Sequence, residues 1–313
     1  MTDTTITKYT IEQILSCKEP NAVMPEELQQ YCTNMKKYKM ELLDELSPIM
    51  EQIMKSYNNG IDPNDVLIRN SIRENLNKLN SKNYDKILQE IKTLNYTNDT
   101  HFTFLASELI MKSMNDVMAN KVNDAANKLN KSPTELYMDI AYVFSGYCTY
   151  TKNNEEVKFK IKMSKLCQQY FNKFVNKAER MDKNNPHRVI IYKGFMNMLG
   201  MLYVKNIFPI DIIFVCFTKI LNLILDSSIP LEDRDNYYAG YERLMNRILG
   251  CFETTTRSPQ LIVEFNNIKT QLHDINNKIT QAYDSGLKPI ERFSMIDHRD
   301  NIERYNKLCE LYE

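Results

Sequence analysis

Residues 76–87 read Leu-Asn-Lys-Leu-Asn-Ser-Lys-Asn-Tyr-Asp-Lys-Ile, a pattern that predicts the end of one helix, a polar turn and the start of a second helix. Leu76 and Leu79 are three residues apart, so they lie on one face at the end of the first helix. Asn80 and Ser81 have side chains suited to capping the second helix. The apolar residues expected to turn inward from that helix are Tyr84 and Ile87. The segment predicts a helical hairpin.

The same rhythm recurs along the chain. Good helix formers dominate the sequence, while glycine is scarce, with seven residues in 313. The predicted helix pairs are 64–79 with 83–95, 101–118 with 133–149, 155–181 with 186–207, 210–226 with 232–252, and 259–281 with 289–312. The expected fold is therefore all-α, an α-solenoid of about five antiparallel helix pairs. The predicted domains are a docking peptide over 1–20, a helical linker over 21–63 and the solenoid over 64–313.

The composition indicates a reduced, soluble, cytoplasmic protein. The seven cysteines show no metal-ligand spacing, so most are expected to be buried thiols, and neither a metal nor a cofactor is predicted. No leader or membrane segment is recognisable. The most apolar stretch, 210–225, contains charged residues and is too short to span a bilayer. It predicts a buried helix with Pro209 at its first position.

The N-terminal segment 8–15, Lys-Tyr-Thr-Ile-Glu-Gln-Ile-Leu, predicts a short docking helix. Thr10 is a good N-cap, and Tyr9 and Ile14 have the spacing of a hydrophobic staple. Tyr9, Ile14 and Leu15 provide a sparse apolar anchor set of the kind that binds in a groove of a partner. The alternative is a terminal amphipathic helix that folds back on its own domain.

Five segments resemble initiation factor 4G of eukaryotes. Residues 76–87 resemble Leu-Asn-Lys-Leu-Thr-Pro-x-x-Phe-x-x-Leu, which opens the HEAT-repeat middle domain of that family. Residues 9–15 resemble its Tyr-x-x-x-x-Leu-Φ motif for the cap-binding factor 4E, with Ile14 where the family has Leu. Three further segments match in family order: Phe159-Lys160 with Cys167-Gln168-Gln169-Tyr170-Phe171, Leu199-Gly200-Met201-Leu202-Tyr203, and Arg292-Phe293-Ser294-Met295-Ile296-Asp297.

Core packing is the expected role of Phe159, Phe171 and Tyr203 within these segments. Gly200 inside a helix costs about 1 kcal/mol relative to alanine. We therefore expect a neighbouring helix to approach closely at this position.

The resemblance implies a scaffold rather than an enzyme. Its expected partners are a 4E-like cap-binding factor, a 4A-like DEAD-box RNA helicase and mRNA, with the chain as a monomer within the complex. By the same resemblance the two ends of the solenoid would hold the helicase. The implied helicase-binding residues are Asn77, Lys78, Lys82, Arg292, Phe293 and Asp297. The sequence departs from the family just after Asp297. The alternative is a related solenoid that acts as a translational regulator, in mRNA decay or in nuclear cap binding.

Positive charge is concentrated in the middle of a chain whose formal net charge is zero. Residues 152–205 contain twelve basic and four acidic side chains. Such a patch binds RNA phosphates without reading bases. The candidate RNA-binding residues are Lys158, Lys160, Lys162, Lys165, Lys173, Lys177 and Arg188. Spacings of two and three exclude one shared helical face for the first four, and the alternative is a solvated helix surface.

Enzymatic motifs are missing from the sequence. It contains no Gly-rich phosphate loop, no HExxH pair and no GxSxG turn. The four histidines stand far apart and are expected to be surface or capping residues. An active site assembled from residues that are distant in the sequence would leave no such motif. We predict, however, that the chain is not an enzyme.

Overall fold

A computed structural model describes residues 63–115, 131–146, 148–152, 155–176, 186–253, 259–284 and 292–312. This part of the chain contains ten helices and one β-hairpin. The helices are α1 Pro63–Lys78, α2 Tyr84–Lys92, α3 Asp99–Met114, α4 Pro133–Ser145, α5 Phe159–Phe174, α6 Pro186–Val204, α7 Ile210–Leu225, α8 Leu231–Phe252, α9 Pro259–Asp284 and α10 Arg292–Tyr312. The predicted helical fold class is confirmed.

The helices pack in two alternating sets. Helix α3 packs on α1 and α5, and α7 packs on α9, so odd-numbered helices lie beside one another within the groups α1, α3, α5 and α7, α9. Helices α4, α6, α8 and α10 follow one another in the same way. Contacts within the pairs α1–α2, α3–α4, α7–α8 and α9–α10 join the two sets. This packing is compatible with the predicted α-solenoid.

The β-hairpin corrects two predicted helix boundaries. Strand β1, Cys148–Lys152, pairs in antiparallel fashion with β2, Glu155–Lys158, and Lys152 lies opposite Glu155. The predicted helices 133–149 and 155–181 were therefore wrong at these ends. Residues 149–151 are Thr-Tyr-Thr, which favour strands, and Asn153-Asn154 is a turn-forming pair in the sequence. This local preference outweighs the helical periodicity on either side.

Aromatic side chains fill the core along the whole array. Phe102, Phe144 and Phe159 form edge-on or tilted pairs near the beginning of the array. Phe252, Phe265 and Tyr312 do the same near its end. The predicted core residues Phe159, Phe171 and Tyr203 are all buried.

Two glycines allow close approaches of α6 to its neighbours. A Cβ atom at Gly194 would lie 2.5 Å from the backbone oxygen of Met114 in α3. A Cβ atom at Gly200 would lie 2.5 Å from the Cβ of Arg247 in α8. The expectation that a neighbouring helix approaches Gly200 is therefore confirmed, because no larger residue fits without a shift.

Helix α4 begins with a complete capping box. The Ser132 hydroxyl accepts a hydrogen bond from the Glu135 backbone N–H at 3.2 Å, and the Glu135 carboxylate accepts one from the Ser132 N–H at 2.8 Å. Pro133 follows at the first helical position, where its missing N–H costs nothing. One of these two bonds uses the Ser132 side chain, and the other uses the Glu135 side chain.

Replacing Ser132 by alanine is expected to lower the free energy of unfolding by about 1 kcal/mol, because the Glu135 N–H loses its acceptor. Urea unfolding followed by circular dichroism measures the change. Ser132→Asp keeps an acceptor at the N-cap and is expected to retain most of the stability. Equal stability of Ser132→Ala and the natural protein would contradict this role of the capping box.

Candidate protein-binding surfaces

The turn between α1 and α2 is built by two asparagine side chains. The Asn80 side-chain oxygen accepts hydrogen bonds from the backbone N–H groups of Lys82 and Asn83 at 2.9 and 3.2 Å. The Asn83 amide donates to the Lys78 carbonyl at 2.7 Å and accepts from the Asn80 N–H at 2.8 Å. Asn83 occupies the N-cap position of α2 without a side-chain capping bond, so the predicted capping by Asn80 and Ser81 was wrong.

This turn exposes the side chains at its rim. Asn77, Lys78 and Lys82 are all exposed, whereas Leu76 and Ile87 are buried beneath them. Asn77 accepts a hydrogen bond from the Lys112 ammonium. The hydrogen bonds that fix the turn use the backbone N–H of Lys82 and the backbone carbonyl of Lys78, and not the side chains of these lysines.

The second predicted helicase-binding segment lies in the last helix. Arg292, Phe293 and Asp297 fall in the first two turns of α10, and their side chains lie outside the described part of the structure. Helix α1 packs mainly on α2 and α3, whereas α10 packs mainly on α8 and α9. The two segments therefore belong to opposite ends of the packing order. The docking residues Tyr9, Ile14 and Leu15 lie outside the described residues.

The lysines of α5 point in different directions. At 100° per residue, Lys160 and Lys162 are about 160° apart around the helix, whereas Lys162, Lys165 and Lys173 lie within about 80°. Lys162 is engaged already, because its ammonium lies 2.8 Å from an Asp99 carboxylate oxygen. Lys160 and Lys165 are exposed. One face of helix α5 therefore presents at most part of the predicted basic patch.

The other predicted RNA-binding residues flank this helix. Lys158 is exposed at the end of β2, where it forms the N-cap of α5. Arg188 in α6 donates a hydrogen bond to the Lys173 carbonyl at 3.2 Å, which ties α6 to the end of α5. Lys177 lies outside the described residues.

Among the histidines whose side chains the structure describes, His101 and His298 are buried, contrary to the expectation of surface or capping roles. The His101 Nε2 atom lies 2.7 Å from a carboxylate oxygen of Asp65, and its Nδ1 accepts from the Thr97 N–H at 3.1 Å. The His298 side chain lies between α8 and α9, with Nε2 3.1 Å from the Thr280 hydroxyl. Burial lowers the pKa of His298 to about 4. Both rings act as packing elements of the fold.

A charged groove on the even-numbered helices was not predicted from the sequence. It has a volume of about 280 Å³ and lies among Lys131 and Glu135 at the start of α4, the last residues of α6 and the second half of α8. The α6 and α8 residues that line it are Met201, Val204, Lys205, Asn246, Arg247, Gly250 and Cys251. These residues span 120 positions of the chain, so no local spacing signals the groove.

Comparisons with protein-family models and with curated proteins find no match for this chain. Within the described ranges, no group of three or more His, Cys, Asp or Glu side chains is arranged to hold a metal ion. None of the described helices combines the length and the apolar character that crossing a membrane requires.

Proposed function

We propose that this chain is a cytoplasmic translation-initiation scaffold that joins a 4E-like cap-binding factor to a 4A-like DEAD-box RNA helicase and mRNA. The observation that carries the proposal is the preformed turn at residues 77–82, which presents Asn77, Lys78 and Lys82 at the beginning of the helical array. It coincides with the segment that most resembles the middle domain of initiation factor 4G. A rigid turn loses little entropy when it binds, which favours recognition of a partner at this point.

The order of the helices supports the same proposal. The turn lies at the start of the packing order, and Arg292 begins the helix at its end. A partner with two lobes could therefore contact both ends of a HEAT-type array. Residues 9–15 resemble the docking motif for the cap-binding factor and precede the array in the same order as in factor 4G.

The proposal includes contact with RNA, but through fewer lysines than the sequence predicted. Lys160 and Lys165 are the exposed lysines of α5, and Lys158 is exposed just before this helix. Lys162 contributes less, because Asp99 already neutralises its charge. Contacts of this kind would depend strongly on salt and weakly on base sequence.

Reversing the charges of Lys78 and Lys82 tests the helicase contact. The double variant Lys78→Glu, Lys82→Glu is expected to weaken co-purification with a 4A-like helicase by about tenfold or more, which corresponds to about 1.4 kcal/mol. Its thermal unfolding should match that of the natural protein, because the turn bonds use the backbone of these residues. Helicase pull-down, calibrated by titration, is the measurement.

The matched control carries the same change in net charge elsewhere. Lys86 and Lys307 have side chains that are 77% and 65% exposed, and neither belongs to the predicted contacts. Lys86→Glu, Lys307→Glu should bind the helicase normally. In the same assay, Tyr9→Ala, Leu15→Ala should lose the cap-binding factor and keep the helicase. Normal helicase binding by the Lys78, Lys82 variant would overturn the proposed contact, and capture of neither factor by the natural protein would favour the decay or regulatory alternative.

A further inference from the structure

The charged groove between α4, α6 and α8 has an excess of positive charge. Asp139 binds two lysines that line the groove, one at each carboxylate oxygen, and its side chain is 11% exposed. The Lys131 ammonium lies 2.6 Å from one oxygen and the Lys205 ammonium 2.5 Å from the other. One carboxylate therefore holds two ammonium groups. Each ammonium group has three N–H donors, so this arrangement leaves donors for a second anion.

Arg247 adds a third cation in a fixed position. Its Nε donates a hydrogen bond to the Asn197 side-chain oxygen at 2.6 Å, and its Cβ lies against Gly200 of α6. Burial lowers the pKa of Arg247, and the neighbouring Arg243 lowers it further, although Glu135 opposes both effects. A second carboxylate beside Arg247 would relieve this repulsion. The Glu135 carboxylate is already used in the capping box of α4.

The floor of the groove is partly apolar. Met201 and Val204 provide this apolar part, Met201 being buried and Val204 38% exposed. Gly250 also lines the groove, and a Cβ atom added there would meet no atom within 4 Å. The volume is at the low end for small-molecule pockets. It suits one or two side chains of a peptide better than a complete cofactor.

We propose that this groove binds an acidic segment of a partner protein, with one carboxylate bound by Lys131, Lys205 and Arg247 and an adjacent aliphatic side chain packed on Met201 and Val204. The charge excess selects an anion, and the apolar floor selects a neighbouring aliphatic group. This second binding site does not depend on the initiation role, because none of its residues belongs to the predicted contacts with the helicase, the cap-binding factor or RNA.

The chemistry of the groove favours a peptide over single-stranded RNA. None of the nine described residues that line it is aromatic. Proteins that bind single strands commonly combine a basic groove with aromatic side chains on which bases stack. An aliphatic floor offers no such platform, whereas it fits a leucine or valine side chain beside a carboxylate.

Binding of a labelled peptide tests this proposal. The probe is a short fluorescein-labelled peptide of alternating glutamate and leucine, and the control peptide has glutamine in place of every glutamate. Fluorescence anisotropy should show saturable binding of the first peptide and at least about tenfold weaker binding of the second. In protein labelled with ¹³C at the methionine methyl groups, the Met201 signal should shift during the titration.

Two substitutions at one position provide the matched comparison. Gly250→Leu should fill the open wall of the groove and raise the Kd of the acidic peptide by about tenfold or more. Gly250→Ala, which adds a single methyl group in open space, should change it by less than about threefold. Circular dichroism should show both variants folded, because the position is exposed on a helix. A third variant, Lys205→Ala, should also weaken binding while Asp139 keeps its contact with Lys131.

Several results would overturn the proposal. One is equal affinity of Gly250→Leu and the natural protein for the acidic peptide, and another is equal binding of the glutamine peptide. A Met201 signal that stays unchanged while the peptide binds would place the peptide elsewhere. Displacement of the peptide from the natural protein by oligouridylate, together with weaker direct binding of labelled oligouridylate to Gly250→Leu than to the natural protein, would show that the groove is an RNA site instead.

Discussion

Alanine at Gly194 is expected to destabilise the protein by about 1–3 kcal/mol, whereas alanine at Gly250 should stabilise it by up to about 1 kcal/mol. The chemical change is the same at both positions, and only the surroundings differ. The new methyl group at Gly194 would lie 2.5 Å from the backbone oxygen of Met114, so α3 and α6 would have to separate. At Gly250 the methyl group meets open space, and the gain in helix propensity remains.

Urea unfolding of the two single variants and of the natural protein measures these opposite effects. The Gly194→Ala variant should have a lower midpoint with an unchanged slope, because the loss is in packing rather than in the extent of unfolding. Destabilisation of similar size at both positions would show that the close crossing of α3 and α6 is not the cause. Stabilisation at both positions would contradict the crossing itself.

Lowering the pH from 7 to 4 is expected to decrease the free energy of unfolding by about 3 kcal/mol through His298 alone. Its pKa is lowered from an unfolded value of 6.5 to about 4 by burial between α8, α9 and α10. A lowered pKa means that the unfolded chain binds the proton more readily than the folded protein. The stabilisation is complete above pH 6.5, is lost as the pH falls from 6.5 to about 4, and does not decline further below that range.

Comparison with His298→Gln isolates this contribution from the titration of carboxylates. The Thr280 hydroxyl donates its hydrogen bond to the Asn276 carbonyl, so it accepts from the histidine Nε2–H, and a glutamine amide offers a similar donor. Between pH 7 and pH 4, the natural protein should lose about 3 kcal/mol more of its unfolding free energy than the variant does. A difference that stays constant with pH would contradict a neutral, buried His298.

The helical pairs could be predicted from the sequence because their signals are local. Leu76 and Ile87 have the apolar spacing of a helical hairpin, and both are buried as expected. The β-hairpin was missed because its strands are short and are flanked by strongly helical patterns. The N-cap of α2 falls on Asn83 rather than on the predicted Asn80 or Ser81, because the Asn80 side chain instead binds backbone N–H groups within the turn.

The buried histidines and the charged groove could not be predicted, because they depend on contacts between distant residues. His101 is separated from Asp65 by 36 positions, and nothing in the intervening sequence marks the pair. Asp139 meets Lys205 across the packing of α4 on α6. The predicted helicase contacts at Lys78 and Lys82 and the docking residues near Tyr9 remain predictions.

The central position of α6 has a consequence for the cooperativity of unfolding. Helix α6 packs on α3 and α4, which precede it in the chain, and on α7 and α8, which follow it, so it contacts both halves of the array. In repeat arrays whose units touch only their neighbours, terminal units can unravel one at a time. We expect a helix that is shared by both halves, with close crossings at Gly194 and Gly200, to couple their unfolding, so that unfolding of one end of the array destabilises the other end as well.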